Sequence, residues 1–250
     1  GRVVFVSRWA VPGATTDDSL TALHLGGYSN HSLARAAGAS ADNTGDATGW
    51  GLTWLPLTEP QAGGGWWVET TAGMTVVTAI GESDYWTATT GGTLANGNIG
   101  RAVFSLDSGG NVSSDTAGIT VRLADGTNDA EFQIRTDTSR FRIRDINGAT
   151  NKATISRPMT DAVELEWAMN VTASGVANLT VWYRARSNAT AHNWTVAYSG
   201  TIANDTATPN ATSFVRFGNG VNTGTAASTT WHEFMTTTNG YTGLSVDNQA

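Results

Sequence analysis

The sequence contains no cysteine, so disulfide bonds cannot stabilise it, and stability must come from packing or from assembly with other subunits. Charged residues are scarce, at 14% of 250 positions, and the fourteen basic residues include a single lysine, Lys152. The net charge of −7 argues against nucleic acid as the main partner, because binding to phosphates needs a basic surface. No window approaches the roughly 18 apolar residues of a membrane span. We therefore expect neither a nucleic acid partner nor a membrane span.

Hydroxyl residues and glycine are abundant instead, with 57 serines and threonines and 29 glycines. Threonine favours strands and glycine favours turns. Apolar and polar residues alternate within residues 119–123, 132–143 and 163–169, and Asn147-Gly148 marks a tight turn. Ten or more short strands without a credible long helix predict an all-β protein, an antiparallel two-sheet β-sandwich of jelly-roll type.

The N-terminal part of the chain has a different amino-acid composition. Residues 3–6 predict a strand, whereas residues 13–49 are rich in alanine, serine, aspartate and glycine and predict an extended arm or long loop. An irregular segment of this length usually binds something or packs on a neighbour. We therefore divide the chain into an N-terminal strand and arm, residues 1–49, and a β-sandwich, residues 50–250.

Two pairs of segments carry a family resemblance. Residues 213–220 form a glycine-punctuated strand, and residues 230–234 an aromatic and acidic one. With the paired segments 161–170 and 179–186, they resemble the concanavalin A-like (laminin-G-like) lectin/glucanase superfamily over residues 74–238. That superfamily includes lectins, glycan hydrolases and lyases, adhesion proteins, and decoration or tail proteins of bacterial viruses. The resemblance implies a jelly roll on an extracellular or virion surface.

Signals of catalysis are weak. The glucanase branch of this fold uses a Glu-x-Asp-x-x-Glu string, which is absent here. The nearest match, Glu164 and Glu166, puts two carboxylates about 7 Å apart on one strand face. Because both alternate with apolar residues that must face the core, we interpret them as a solvated outer face. There is no nucleophile elbow and no phosphate-binding glycine loop. We therefore predict that the protein is not an enzyme.

The sequence predicts no cofactor, and calcium is the one candidate to weigh against that prediction. The four histidines lack metal-ligand spacing, and without cysteine a zinc site is not expected. The turn of residues 125–129 offers oxygen ligands from Asp125 and Asp129, and several branches of the superfamily bind calcium at the rim of the sandwich. The alternative is that Asp125-Gly126 only forms a tight turn and binds no metal ion.

Arginines are concentrated in the hairpin of residues 131–144. With Phe141 and Ile143 directed inward, the intervening arginines form a row on the outer face. Such a row can hold carboxylates bidentately, either from an acidic glycan or from an acidic neighbouring subunit. The alternative is a solvated face with local partners such as Glu131. The predicted patch comprises Arg135, Arg140, Arg142 and Arg144.

Tryptophan is frequent, with ten residues. Trp167, Trp194 and Trp231 fall in the core register of their strands. Three others lie beside Gly-rich segments, where an exposed indole can stack on a sugar ring or anchor a protein contact. The alternative for these three is packing within the sandwich. The candidate ligand-binding residues are Trp66, Trp67 and Trp86.

Together these features predict a non-enzymatic structural or assembly protein of an extracellular or virion surface, of the decoration or tail-associated type. Its partners would be neighbouring subunits in a homo-oligomer or virion. The alternative is a carbohydrate-binding, lectin-like module that binds a surface glycan. A polysaccharide-degrading enzyme is the third hypothesis.

Overall fold

The computed structural model describes residues 20–24, 54–56, 66–70, 73–81, 84–89, 97–113, 118–171, 176–188, 194–219 and 225–237. Strands and turns account for almost all of them, and the single helical element is a 3₁₀ turn at Arg186–Asn188. Within these ranges no helix has the length and apolar character needed to cross a membrane. The predicted all-β class is confirmed.

Sixteen strands lie in the described part of the chain, and we number them in chain order. They are β1 (Leu20–His24), β2 (Trp54–Pro56), β3 (Trp66–Thr70), β4 (Gly73–Thr78), β5 (Asp84–Thr89), β6 (Asn98–Gly109), β7 (Gly118–Ala124), β8 (Asp129–Asp137), β9 (Arg140–Asp145), β10 (Thr150–Ser156), β11 (Val163–Val171), β12 (Ala177–Ala185), β13 (Thr195–Ile202), β14 (Asn204–Asp205), β15 (Phe214–Asn219) and β16 (Ala227–Thr237).

The strands form two antiparallel sheets of eight strands each. The first sheet has the order β13-β12-β11-β6-β16-β4-β3, with β1 also paired to β16. The second has the order β10-β9-β8-β7-β15-β5-β2, with β14 also paired to β8. Neighbouring strands are often distant in sequence, as β6 and β16 are, so the sandwich depends on long-range pairing.

An aromatic cluster joins the two sheets. Phe217 of the second sheet packs against Phe234 and Trp231 of the first, with ring centroids 4.4 and 5.2 Å away. Trp231 also stacks on Phe104 at 4.3 Å. All four side chains are completely buried. Aromatic pairs at such distances contribute beyond the area that they bury, about 0.5–1.5 kcal/mol each.

The predicted alternation holds along most strands. Phe141 and Ile143 are buried in β9, while the arginines that alternate with them, Arg140, Arg142 and Arg144, are half-buried. Trp167 and Trp231 lie in the core, as predicted. The core assignment of Trp194 is wrong: this residue is half-buried, and the guanidinium of Arg184 lies 4.4 Å from its ring. The register between β12 and β13 shifts after Val181, which changes the faces that the alternation predicts for β13.

One strand falls inside the predicted arm. Residues 20–24 form β1, which pairs with residues 233–237 of β16. The rest of residues 1–49, including the predicted strand at residues 3–6, lies outside the described residues. The division of the chain at residue 49 stays a prediction.

The turn between β9 and β10 contains a strained alanine. Ala149 has φ of +49° and donates its N–H to the carbonyl of Ile146 at 3.0 Å. Because a left-handed conformation is unfavourable for a residue with a Cβ, we expect Ala149→Gly to raise the free energy of unfolding by about 0.5–1 kcal/mol in urea denaturation. As a control, Ala226→Gly removes an exposed Cβ where φ is not positive, and we expect it to be neutral or destabilising. Equal effects of the two substitutions would contradict the prediction.

Candidate functional site

The outer face of the second sheet carries six arginines. They alternate with core residues along β7, β8, β9 and β15, so they lie on the side of the sheet away from the core. The order β9-β8-β7-β15 places these four strands side by side. We call this surface the arginine face, and its members are Arg122, Arg135, Arg140, Arg142, Arg144 and Arg216.

Four of these six were predicted from sequence as one patch, and the structure places all four on this face, on the hairpin of β8 and β9. Arg122 and Arg216 were not predicted to join them, although each stands between two apolar residues in its own strand. Their alternation could have indicated an outward position. Their proximity to the hairpin depends on the strand order, in which β7 lies between β8 and β15.

Carboxylates on the same face neutralise two of the arginines. Arg122 pairs with Glu131, with 2.6 Å between Nη2 and Oε2. Arg140 pairs with Asp137, with 2.8 Å between Nε and Oδ2. Glu131 is almost completely buried, so the first pair is shielded from water.

Three other arginines have only neutral contacts within the described part of the chain. One of them, Arg142, has a buried Nε for which these residues provide no acceptor. Their positive charges are therefore available to an external anion. The contacts are Arg142 Nη1 to Val112 O (3.3 Å), Arg144 Nη1 to Asn151 Oδ1 (3.3 Å) and Arg216 Nε to Thr87 Oγ1 (3.2 Å).

Arg135 and Arg142 are direct cross-strand partners on β8 and β9. Like charges at opposed positions destabilise an antiparallel pair. An anion bound on this hairpin would reduce the repulsion and form charge-assisted hydrogen bonds. The hairpin of β8 and β9, which carries four of the six arginines, is therefore the part of the face best suited to a carboxylate.

Aromatic rings orient the arginines at the other end of the face. The guanidinium of Arg216 lies 4.0 Å from the ring centroid of Tyr85 and 4.9 Å from that of Phe214. Arg122 is the register partner of Phe214 on β7, and its guanidinium lies 4.6 Å from the centroid of the same ring. These cation–π contacts restrict the side chains before a ligand arrives, which reduces the entropy lost on binding.

The two candidate calcium ligands have different surroundings. Asp125 is exposed, and its Oδ1 accepts hydrogen bonds from the hydroxyl and N–H of Thr127 and the N–H of Asn128; these bonds hold its pKa below the usual value. Asp129 is fully buried and accepts hydrogen bonds from the side chains of Asn147 and Asn210. Among the described residues, no group of three or more His, Asp or Glu side chains is arranged to hold a metal ion.

The three candidate tryptophans lie in two different sheets. Trp66 and Trp67 belong to β3 at the edge of the first sheet, and Trp67 is the register partner of buried Val76. Trp86 belongs to β5 of the second sheet, where its register partner is buried Phe217. The structure therefore does not place the three on one sheet, and their binding role stays a prediction.

Glu164 and Glu166 are not solvated, so that interpretation of the sequence is wrong. They lie on the outer face of the first sheet but are only 5% and 1% exposed. Arg184 and Arg101, from the strands on either side, reach Glu164 Oε2 at 2.6 and 3.1 Å, and Arg101 lies 3.8 Å from Glu166 Oε1. Long side chains from β6 and β12 cover the carboxylates, an arrangement that stabilises the sheet and keeps both groups from a substrate.

No protein-family model and no curated protein matches this sequence. Solved structures do match. The alginate lyase Aly36B superposes with a TM-score of 0.50 and 8% identity, over 91% of this chain and 100% of that one. A GH43 glycoside hydrolase engineered for endo-xylanase and exo-arabinofuranosidase activity gives 0.47 and 13%, over 91% of this chain. The chain spans only 43% of that hydrolase.

A third solved structure also matches. The exoplasmic/lumenal domain of VIP36, in a form bound to Ca²⁺ and Man2, gives a TM-score of 0.44 and 10% identity, over 94% of this chain and 95% of that one. At these identities the similarity concerns the fold. The prediction that the protein is not an enzyme is contradicted by this comparison, because Aly36B is an enzyme with the same fold. The chain is an antiparallel two-sheet, jelly-roll β-sandwich, and its fold is similar to that of Aly36B.

Proposed function

We propose that this protein binds an acidic glycan on the arginine face. The observation that carries the proposal is the pair Arg142 and Arg144 on β9, whose contacts within the described part of the chain are to a backbone carbonyl and to a neutral amide. A polymer of uronic acids presents one carboxylate per sugar, and guanidinium groups bind carboxylates in a planar, two-bonded geometry. Arg216, restrained by its aromatic contacts, would extend the same contact across the sheet.

The choice of a first ligand follows from the fold comparison. Aly36B has also been solved with an alginate trisaccharide, at a TM-score of 0.50 to this chain. Alginate is a polyuronate, so its charge pattern suits a row of arginines. We therefore test alginate oligosaccharides first, with a neutral glucan and a DNA duplex as comparison ligands.

The experiment compares one arginine on the face with one away from it. Arg144→Gln removes a positive charge from the face, and Arg186→Gln removes the same charge from the exposed 3₁₀ turn after β12. In calorimetric titration with alginate oligosaccharides we expect Arg144→Gln to weaken binding about tenfold, equivalent to about 1.4 kcal/mol. Arg186→Gln should leave the affinity unchanged. Added salt should weaken the binding of both proteins, because the contact is ionic.

Other outcomes would count against the proposal. Absence of saturable alginate binding, or equal losses for the two variants, would contradict it. Equal affinity for the DNA duplex would indicate a general polyanion site.

Repeating the titration with calcium and with EDTA tests the calcium proposal for Asp125 and Asp129. Trp66→Ala and Trp86→Ala in the same titration test the candidate tryptophans.

Catalysis is measured in the same mixtures. Fragments with a new reducing end would indicate hydrolysis, and fragments with an unsaturated uronate, detected by ultraviolet absorbance, would indicate lyase chemistry. Either product would make the arginine face the binding part of an enzyme. Arg144→Gln would then be expected to raise KM more than it lowers kcat, because the residue binds ground state and transition state alike.

A second candidate is assembly, favoured by the contrast between this cationic face and the net charge of −7. In that case the arginines would contact an acidic surface of a neighbouring subunit on an extracellular or virion surface, in a homo-oligomer or a larger particle. Light scattering at low and high salt tests this. A stable oligomer that Arg144→Gln weakens and Arg186→Gln does not would favour assembly over glycan binding.

A further inference from the structure

A cavity of about 380 Å³ opens where the turn after β9 meets the ends of β10, β13 and β14. Its volume falls within the range of small-ligand pockets, about 300–1,000 Å³. The cavity combines an ion pair, Asp145 with Lys152, and an apolar side formed by Ile202 and Val176. The rest of the lining comprises Gly148, Thr150, Thr201, Ala203 and Asn204. None of these residues belongs to the arginine face.

The ion pair leaves hydrogen-bond donors but little net charge. Asp145 is 1% exposed and accepts the N–H groups of Gly148 at 2.9 Å and Ala203 at 3.0 Å. Lys152, the single lysine of the chain, lies 3.2 Å from Asp145 Oδ2. An ammonium group has three N–H donors, so two remain after this contact. Because the two charges compensate each other, the pocket favours a neutral ligand over an anion.

Asn204 contributes an acceptor without a donor. Its Oδ1 is buried, and the described part of the chain offers it no hydrogen bond. A buried acceptor without a hydrogen bond is unfavourable, and rotation of the Asn204 side chain toward the cavity would let it accept from a ligand hydroxyl. On the rim, Val176 is 39% exposed and offers an apolar surface next to Ile202.

We infer that this pocket binds a neutral sugar ring through adjacent hydroxyl groups. One hydroxyl donates to Asn204 Oδ1, and a neighbouring hydroxyl accepts from Lys152 Nζ. The C–H face of the ring packs on the exposed side chain of Val176. This site is separate from the proposed acidic-glycan surface and stands if that proposal fails.

Binding is tested by titrating the ¹⁵N-labelled protein with the methyl glycosides of glucose, galactose, mannose and N-acetylglucosamine, and with glucuronate. We expect saturable shifts at Gly148, Lys152 and Ala203 for at least one neutral glycoside, with Kd in the millimolar range. The arginine-face variant Arg144→Gln should leave this Kd unchanged. Absence of saturable shifts for all four neutral sugars, or tighter binding of glucuronate, would overturn the inference.

Two matched substitutions locate the site. Lys152→Met removes the donors while keeping the aliphatic stem, and we expect about fivefold weaker binding, equivalent to the loss of one hydrogen bond. Val176→Ala removes the apolar contact at the rim of the pocket and leaves the ion pair of Asp145 and Lys152 intact. It provides the test of the pocket if Lys152→Met does not fold. Its control is Val196→Ala, which truncates another exposed valine near the opposite end of β13. Unchanged affinity in both pocket variants, or an equal loss in Val196→Ala, would overturn the inference.

Discussion

Glu164→Ala is expected to lower the free energy of unfolding by about 3–5 kcal/mol, because it removes the carboxylate that two buried arginines share. Arg184 donates to Glu164 Oε2 through Nε at 2.7 Å and Nη2 at 2.6 Å, and Arg101 donates through Nη2 at 3.1 Å. The side chains of the three residues are 6–12% exposed, so water cannot replace the lost partner. Urea denaturation monitored by tryptophan fluorescence measures the change.

The matched comparison is between two arginines. Arg184→Ala breaks the buried pair, whereas Arg140→Ala breaks the pair with Asp137, in which the arginine side chain is 43% exposed. We expect the first to cost several kcal/mol and the second less than about 1 kcal/mol. Similar losses of unfolding free energy in the two variants would mean that burial does not determine how much each ion pair contributes to stability.

Trp231→Ala is expected to lower the free energy of unfolding by about 3–5 kcal/mol, the usual cost of removing a large aromatic side chain from a core. The indole is completely buried, stacks on Phe104 and contacts Phe217 from the other sheet. Its Nε1 donates to Thr229 Oγ1 at 3.0 Å, so the substitution also removes a buried hydrogen bond. Calorimetric melting or urea denaturation measures the loss.

Trp194→Ala is the control for this experiment. Trp194 is half-buried and its described ring contact is the cation–π interaction with Arg184, worth about 0.5–1 kcal/mol at such a site. We therefore expect a much smaller loss than at Trp231. A loss at Trp194 as large as that at Trp231 would contradict the assignment of Trp194 to the outer surface.

The two carboxylates of β11 show that neighbouring strands determine whether an outward-facing residue is exposed to solvent. The alternation of Glu164 and Glu166 with Leu165 predicts which face each occupies, and this is confirmed. Whether that face is exposed to solvent depends on Arg101 and Arg184 from the adjacent strands, and the alternation within β11 carries no information about them. A local pattern therefore predicts direction, while burial depends on the residues that other strands bring alongside.

The sequence by itself determined the fold class and the facing of most strands, because side-chain direction in a strand follows a period of two residues. It thereby placed Arg140 and Arg142 on one outer face. The tertiary structure decided which strands are neighbours, since pairing between distant segments leaves no local pattern. That choice adds Arg216 to the arginine face and brings together the strands β9, β10, β13 and β14 that line the pocket around Lys152.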